Sequence, residues 1–329
     1  METVKLHNIQ QQVSRIGLGT WAIGGWMWGG TDEKQSIQTI LQAFDKGINL
    51  VDTAPVYGFG TSEKIVGKAL KEYGKREDIV LVTKVGLDWE DDRVFRNSSR
   101  QRLQQEIDLS LQRLQTDYID VYMIHWPDSL ESFEETAQTM ESFKQQGKIR
   151  SIAVSNYSPE QMNSFQTGGQ LDLCEPPYNL FERGIEDDIL PYCQDQDIKT
   201  LVYGSICRGL LSGKMSADRV FQGDDLRKTD PKFQGERFQQ YLAAVDELDA
   251  FAKDNYGKGV IHLAVRWVLD KGADIALWGA RNPQQLDAID EMIAWKLDSD
   301  AMKQIDEIIK KHVKRPVGPE FMAPPKRKL

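Results

Sequence analysis

Residues 48–84 read INLVDTAPVYGFGTSEKIVGKALKEYGKREDIVLVTK, which is an apolar run, a longer amphipathic segment and a second apolar run. The runs at 48–54 and 78–84 are short and rich in β-branched residues, as strands are. Ser62 and Gly74 stand where a helix between the two runs would begin and end. The stretch therefore predicts a strand–helix–strand unit with parallel strands.

The same alternation continues along the rest of the chain. Apolar runs predict eight strands, at residues 14–20, 48–54, 78–84, 118–126, 149–156, 171–179, 198–205 and 273–280. Capped or amphipathic segments predict helices, at residues 32–47, 62–74, up to 147, from 158, 185–196, 236–256, 260–271, from 282, and 298–312. Eight such units predict an α/β fold of the (β/α)8 TIM-barrel type. We expect residues 1–13 to form an N-terminal hairpin that caps the bottom of the barrel.

One motif favours a different α/β fold, the open doubly wound sheet. Residues 17–22, GLGTWA, fit the G-x-G-x-x-A pattern of dinucleotide-binding domains. That pattern needs a helix that begins within the glycines, because the pyrophosphate lies on the helix N-terminus. Here the chain continues IGGWMWGG, and we expect the next helix only at Asp32. The barrel is therefore the preferred prediction.

Composition excludes several classes of protein. The 41 Lys and Arg against 50 Asp and Glu give a net charge of −9, whereas nucleic-acid binders usually carry a basic excess. Cys174, Cys193 and Cys207 show no CxxC spacing, so neither a disulfide framework nor a metal site is expected. No secretory signal or membrane-spanning run is evident. We expect a single domain over residues 1–329, a cytoplasmic location, no membrane or nucleic-acid partner, and a monomer.

Polar side chains follow three consecutive predicted strands. Asp52 ends the second strand and Tyr57 follows it, Lys84 ends the third, and His125 lies at the end of the fourth. Each residue alone is more readily explained as structural or solvated. Neighbouring strands lie about 4.8 Å apart, however, so groups at three adjacent strand ends can converge. Since barrel enzymes carry their chemistry at this end, the four residues together indicate a reactive site.

These four groups suit proton transfer to a carbonyl oxygen as a hydride reaches the carbon. An ammonium about 4 Å from a phenol contributes about 4 kcal/mol at an effective dielectric of about 20, which would lower the phenol pKa by about 3. Lys84 is therefore expected to bring the Tyr57 pKa close to neutrality. Asp52 would orient the lysine, and His125 would position the carbonyl oxygen.

Motifs in order along nearly the whole chain resemble those of the aldo-keto reductases. They include GLGTW at 17–21, DTA at 52–54, TK at 83–84, HWP at 125–127, SNY at 155–157, PYNL at 177–180 and RNP at 281–283. The chain is most similar to the bacterial general-stress members, through VYGSICRGLLSGKM at 202–215 and VGPEFMAPP at 317–325. The resemblance implies an NADPH-dependent barrel enzyme that reduces aldehydes or ketones to alcohols. It also implies a catalytic tetrad of Asp52, Tyr57, Lys84 and His125, with Tyr57 as the general acid.

The resemblance further implies how NADP(H) is bound. The expected cofactor contacts are Thr20, Trp21, Asp52, Ser155, Asn156, Glu175, Tyr203, Gly204, Ser205, Ile206, Cys207, Arg208, Gly209, Gly279, Ala280, Arg281 and Gln285. Among them Tyr203 would stack on the nicotinamide ring, and residues 204–209 would wrap the pyrophosphate. Arg281 would hold the 2′-phosphate, which suits the fork geometry of a guanidinium.

Three positions depart from the pattern of many family members. Glu175 stands where many carry Gln, and an ionised carboxylate there would favour the oxidised, positively charged nicotinamide ring. Ala288 and Ile289 stand in place of Glu–Asn, which removes contacts to adenine. Gly279 replaces a lysine of the phosphate loop and so leaves more of the NADPH preference to Arg281.

The substrate is expected to be a small carbonyl compound in an aromatic pocket. The tryptophans that suggest such a pocket are Trp21, Trp26, Trp28, Trp89 and Trp126. We expect the C-terminal tail, residues 313–329, to lie near the active-site mouth, where Phe321 and Met322 could reach the pocket.

Two other functions remain open at this point. One is a cofactor-bound redox sensor or binding subunit with slow turnover, which the intact tetrad disfavours. The other is a glycosidase that uses Asp52 and Glu175 as its carboxylate pair. It leaves Tyr57, Lys84 and His125 without roles.

Overall fold

The computed structural model describes residues 1–292 and 294–327. Within these residues the strands are β1 (Thr3–Val4), β2 (Val13–Ser14), β3 (Ile16–Gly19), β4 (Leu50–Asp52), β5 (Val80–Val85), β6 (Leu87–Glu90), β7 (Arg93–Arg96), β8 (Ile119–Ile124), β9 (Ile149–Ser155), β10 (Leu173–Glu175), β11 (Lys199–Val202) and β12 (Ile275–Gly279). The α-helices are α1 (Trp21–Gly24), α2 (Glu33–Asp45), α3 (Thr61–Tyr73), α4 (Arg100–Leu114), α5 (Phe133–Gln145), α6 (Pro159–Gln166), α7 (Ile189–Asp195), α8 (Gly235–Tyr256), α9 (Val260–Asp270) and α10 (Ser299–His312). Short 3-10 helices lie at Arg76–Asp78, Gly184–Glu186, Cys207–Ser212, Leu226–Lys228, Pro231–Phe233, Pro283–Glu291 and Glu320–Met322.

Eight of the strands form a closed barrel. Their order around the barrel is β3, β4, β5, β8, β9, β10, β11 and β12, which returns to β3. Every neighbouring pair is parallel. The predicted (β/α)8 barrel is confirmed: seven of the predicted strands contain an observed barrel strand, and β5 extends one residue past its predicted range of 78–84. The open doubly wound sheet is excluded, because a closed barrel has no edge strands.

The strands place alternate side chains inside and outside the barrel, as the pleat requires. In β8, Val121 and Met123 belong to the cluster that fills the barrel, whereas Tyr122 and Ile124 pack under the surrounding helices. Strand β10 follows the same rule, with Leu173 inside and Cys174 outside. In each strand, the residue two positions after an inward-facing residue is therefore expected to face inward as well.

The N-terminal residues close the bottom of the barrel as predicted. Strands β1 and β2 pair antiparallel, with Thr3 opposite Ser14 and Val4 opposite Val13. Leu6 and Ile9, between the two strands, are buried in the cluster that fills the barrel interior. The hairpin therefore extends the core at the end opposite the strand carboxyl termini.

Two helix predictions were wrong near the first barrel strands. The next helix after β3 is α1 and not the one that follows Asp32. Helix α1 has only four residues, and Gly25, whose φ is +83°, follows its last residue. The second helix begins at Thr61 rather than Ser62, because the Ser62 hydroxyl is bonded to the hydroxyls of Thr20 and Thr53 at 2.8 and 2.9 Å.

Two other predicted helices differ from the structure. The segment 185–196 is divided into a 3-10 turn and α7, because the Asp188 carboxylate accepts a hydrogen bond from the Ile189 N–H at 2.6 Å and starts a new helix. The helix from Asn282 is a 3-10 helix, Pro283–Glu291, although Asn282 caps it as expected. Helix α4 and the β6–β7 hairpin were not predicted. No helix in the described part of the chain is long and apolar enough to cross a membrane.

Candidate active site

Strand alternation brings four titratable side chains into the carboxyl end of the barrel. Asp52 follows inward-facing Leu50 in β4, Lys84 follows Val82 in β5, and Glu175 follows Leu173 in β10. His125 occupies the corresponding place after Met123 of β8. The sequence therefore positions these groups through the same two-residue period that builds the core.

Tyr57 reaches the site from the loop after β4. The Tyr57 N–H donates to the Ala54 carbonyl at 3.2 Å. A Cβ added at Gly24 of α1 would lie 2.5 Å from the carbonyl carbon and oxygen of Tyr57. Only glycine permits this approach, so α1 fixes the backbone that carries the phenol.

Lys84 is at the centre of the cluster. Its ammonium is ion-paired with Asp52, donates to the Thr53 carbonyl at 3.2 Å, and lies 3.5 Å from Oε2 of Glu175. The same ammonium lies 5.2 Å from the centroid of the Tyr57 ring. The Tyr57 and His125 rings meet edge to face with their centroids 5.7 Å apart.

Burial and charge determine the protonation of this cluster. Burial alone would lower the Lys84 pKa, but Asp52 and Glu175 raise it above its usual range, so the ammonium stays charged. Burial raises the pKa of Glu175 to about 8, against the opposing charge of Lys84. Burial, together with the Lys84 charge, lowers the His125 pKa well below its usual range, so His125 is a neutral imidazole.

The expectation of a nearly neutral pKa for Tyr57 was wrong. Burial raises the pKa of the phenol above its usual value, and the nearby Asp52 and Glu175 carboxyls add to that rise. Lys84 lowers the Tyr57 pKa but does not overcome these effects. Desolvation, which the charge of Lys84 does not offset, disfavours a phenolate. Tyr57 is therefore fully protonated at physiological pH.

Two cavities meet above the cluster. The larger, which we call the groove, has a volume of about 680 Å³ and extends from Asp52 past Gly204 and Gly279 to Arg281. The other, the small cavity, has a volume of about 230 Å³. The residues that line both cavities, and so mark their junction, are Trp21, Tyr57, Glu175, Tyr203 and Met322.

Most of the predicted cofactor residues line the groove. They are Trp21, Asp52, Glu175, Tyr203, Gly204, Ser205, Ile206, Arg208, Gly209, Gly279, Ala280, Arg281 and Gln285. Ser155 and Asn156 line the small cavity instead, and the Asn156 amide oxygen accepts a hydrogen bond from Tyr203 at 2.8 Å.

Two predicted cofactor residues do not line either cavity. The Thr20 hydroxyl donates to the Asp52 carbonyl at 2.7 Å, and its side chain is buried. Cys207 is buried in the main core. Arg208 lines the groove, but its guanidinium is already paired with Glu182 and Asp230. These side chains therefore support the groove walls.

The far end of the groove is positively charged. Arg281 is held by a hydrogen bond to the Trp28 carbonyl at 2.7 Å, and its backbone N–H donates to the Gln285 side chain at 2.7 Å. Burial lowers the Arg281 pKa, and the like charges of Arg227 and Arg219 add to this effect. The cations Lys214, Arg219, Arg227 and Arg281 line the groove, and so do the acids Asp287 and Glu291. Asp225 pairs with Arg227 and Lys258 pairs with Glu291, so positive charge remains in excess. Such a cluster suits a phosphate.

Sequence reasoning missed Arg219, Arg227 and His262, all of which line the groove. The two arginines belong to the segment between Gly213 and Gln234, which has only short 3-10 turns. A loop of that length is itself a sign of function. His262 caps α9, where its Nδ1 accepts from the Gly259 N–H at 3.1 Å. No pattern in the sequence marked it.

The small cavity is mostly apolar. Three of the five predicted tryptophans line it, namely Trp21, Trp26 and Trp126. Trp28 lines the groove, and Trp89 packs against Phe59 at a centroid distance of 5.5 Å. The tail contributes Phe321, Met322 and Pro324 to the small cavity. Its backbone is fixed by Arg96, which donates to the Pro324 carbonyl at 2.9 Å.

The groove fits a dinucleotide. A Cβ built at Gly279 meets no protein atom within 4 Å, so the wall is open there. The arginine cluster suits phosphate at one end, and the other end meets the small cavity at Tyr57. A nicotinamide ring at the junction would therefore face both the groove and a substrate.

Comparison with known proteins agrees with this geometry. The profile described as "Aldo/keto reductase family" matches residues 15–310. "Aldo-keto reductase YhdN" from Bacillus subtilis is 58% identical over 328 residues, 99% of each chain. "NADH-specific methylglyoxal reductase" from Escherichia coli is 36% identical over 302 residues, 87% of this chain and 91% of the relative.

A solved structure agrees as well. The glycerol dehydrogenase AKR11B4 from Gluconobacter oxydans superposes with a TM-score of 0.88 at 49% identity, covering 98% of this chain and 99% of that chain. The expected likeness to general-stress members stays a prediction. On the combined evidence of fold, site and sequence, the chain belongs to the aldo/keto reductase family, whose members are oxidoreductases that reduce carbonyl compounds.

Proposed function

We propose that this protein is an NADP(H)-dependent reductase that converts aldehydes or ketones to alcohols. The observation that carries the proposal is the position of Tyr57, which lies beside Lys84 and His125 at the junction of a dinucleotide-sized groove and an apolar cavity. When bound, the cofactor supplies a hydride to the carbonyl carbon.

Tyr57 is the proposed general acid. Its raised pKa keeps the proton on the phenol until a strong base forms beside it. A carbonyl oxygen that has accepted charge from a hydride becomes alkoxide-like, and an alkoxide is a stronger base than a phenolate. The proton can therefore move from Tyr57 Oη to that oxygen, and the Tyr57 pKa does not have to lie near neutral pH.

Lys84 and His125 support this transfer. The charged ammonium, held by Asp52, stabilises the negative charge that develops on Tyr57 as its proton leaves. The neutral imidazole of His125 can donate one hydrogen bond to the carbonyl oxygen and so direct it toward the phenol. His125 therefore orients the substrate, whereas Lys84 acts on the charge of Tyr57.

The preference for NADP(H) rests on the far end of the groove. Arg281, with Arg219 and Arg227 nearby, offers a positive site for a 2′-phosphate. A relative at 36% identity is described as NADH-specific, so the family alone does not decide the cofactor. We assign the preference to these arginines because NADH carries no phosphate for them to bind.

The experiment is a steady-state assay of the native protein with an aromatic aldehyde and either NADPH or NADH. We expect aldehyde-dependent oxidation of NADPH, with a higher kcat/KM than for NADH. Tight NADPH binding without turnover on any of several aldehydes would contradict the reductase and support the slow sensor. Hydrolysis of a glycoside without nucleotide would support the glycosidase instead.

A further inference from the structure

Glu175 is a buried carboxyl group at the junction of the groove and the small cavity. Only 1% of the residue is exposed, yet it lines both cavities. Its Oε2 has no hydrogen-bond partner among the described residues, and the nearest cation, Lys84 Nζ, lies 3.5 Å away. The backbone around Glu175 is fixed, because its carbonyl accepts from the Ser155 hydroxyl at 2.7 Å.

Few other charges act on this carboxyl group. Lys84 of β5 favours its ionised form, but the stronger partner of that ammonium is Asp52 of β4. Asp52 itself opposes ionisation of Glu175. The remaining titratable neighbours are the phenols of Tyr57 and Tyr203, the thiol of Cys174 and the neutral His125, all of which are uncharged near pH 7.

The positive charge of Lys84 is therefore largely balanced by Asp52, and Glu175 lacks a full counter-charge. With its pKa near 8, the carboxyl group is mostly protonated at pH 7. It would ionise only if a second positive charge came close. The junction is where a nicotinamide ring would lie under the proposed function, on which this inference rests, and that ring is positively charged only when oxidised.

We propose that Glu175 couples one proton to the redox state of the bound cofactor: the carboxyl group stays neutral beside the reduced ring and loses its proton to solvent beside the oxidised ring. The carboxylate that remains is the counter-charge of the ring. Reduction of a carbonyl then releases this proton, in addition to the one that Tyr57 gives to the product oxygen. The same carboxylate makes the affinity for NADP⁺ depend on pH.

The expected size follows from linkage. A unit charge about 5 Å from the carboxyl group, at an effective dielectric of about 20, lowers its pKa by about 2. Binding of NADP⁺ at pH 7 should then release about 0.8 proton per site, and binding of NADPH close to none. The affinity for NADP⁺ should rise about 25-fold from pH 6 to pH 8, because the proton no longer competes with the ring at higher pH.

The test measures proton release with a pH indicator in weakly buffered solution as native protein is titrated with NADP⁺ and, separately, with NADPH. The 2′-phosphate is common to both, so its titration cancels in the difference. Dissociation constants are measured from pH 6 to pH 8 by fluorescence. We expect the native protein to release more protons with NADP⁺ than with NADPH, and the ratio of the two dissociation constants to depend on pH.

Glu175→Gln keeps the size of the side chain and removes its proton equilibrium. In this variant NADP⁺ and NADPH should release equal numbers of protons on binding. The ratio of their dissociation constants should no longer depend on pH. Glu72→Gln, on the exposed face of α3, removes an equal charge far from the site and should behave as the native protein does.

Equal proton release with NADP⁺ and NADPH in the native protein would overturn the inference, as would an unchanged difference in Glu175→Gln. Native protein that binds neither nucleotide would instead contradict the proposed function. The native measurement alone tests the inference if Glu175→Gln does not fold.

Discussion

At the scale of single residues, the alternation of strand side chains made the inward positions of Asp52, Lys84 and His125 predictable. Each follows an apolar residue that points into the barrel, so its direction is a consequence of the pattern. The protonation of these groups and of Tyr57 was not predictable, because it depends on burial by loops that the sequence does not position. The rise in the Tyr57 pKa is the clearest example.

The cofactor preference is tested at one residue. Replacing Arg281→Ala removes a charged donor at the positive end of the groove, and charge-assisted hydrogen bonds contribute about 1.5–3 kcal/mol. We therefore expect the dissociation constant of NADPH to rise about 10- to 100-fold and that of NADH to change little, as measured by fluorescence titration. Arg100→Ala, on the exposed start of α4, is the control. An equal rise in the dissociation constants of NADPH and NADH would show that Arg281 does not bind the 2′-phosphate.

At the scale of elements, the sequence predicted most of the long helices but not the short helix α1 or the point at which the segment 185–196 divides. Helix α1 is followed by Gly25, whose φ is +83°, and the division before α7 depends on the bond from the Ile189 N–H to the Asp188 carboxylate. The helices with clear caps were predicted well, as at Asp32 and Asp298, because a cap needs only its own next turn.

Helix α1 has a testable role in positioning the phenol. Gly24→Ala would place a Cβ 2.5 Å from the Tyr57 carbonyl group, so the loop that carries Tyr57 must move. We expect kcat/KM to fall at least about tenfold, with a loss of about 1–3 kcal/mol in the free energy of unfolding from overpacking. Gly184→Ala, where an added Cβ meets no atom within 4 Å, should leave both quantities unchanged. Full activity in Gly24→Ala would refute the positioning role.

At the scale of the whole molecule, eight repeated units were enough to predict the barrel and the end that carries the site. The arginines of the segment between Gly213 and Gln234 were not predicted, since that segment has no periodic pattern. The single domain over residues 1–329, the monomeric state and the cytoplasmic location stay predictions.

The hairpin at the bottom of the barrel should affect stability and not catalysis. Ile9→Ala removes a buried side chain from the cluster that fills the barrel, which should lower the free energy of unfolding by about 2–5 kcal/mol. The site lies at the opposite end, so kcat and KM should stay as in the native protein. Urea denaturation and the reductase assay measure the two effects, and a loss of activity in folded protein would show that the two ends are coupled.

The role of Tyr57 as general acid is tested by the rate of aldehyde-dependent NADPH oxidation by Tyr57→Phe, measured beside the variant's dissociation constant for NADPH. We expect the variant to bind NADPH as tightly as the native protein but to lose at least about 100-fold in kcat, because the proton donor is missing. A variant that binds NADPH and retains most of the native rate would show that another group protonates the carbonyl oxygen, and it would contradict the role of Tyr57.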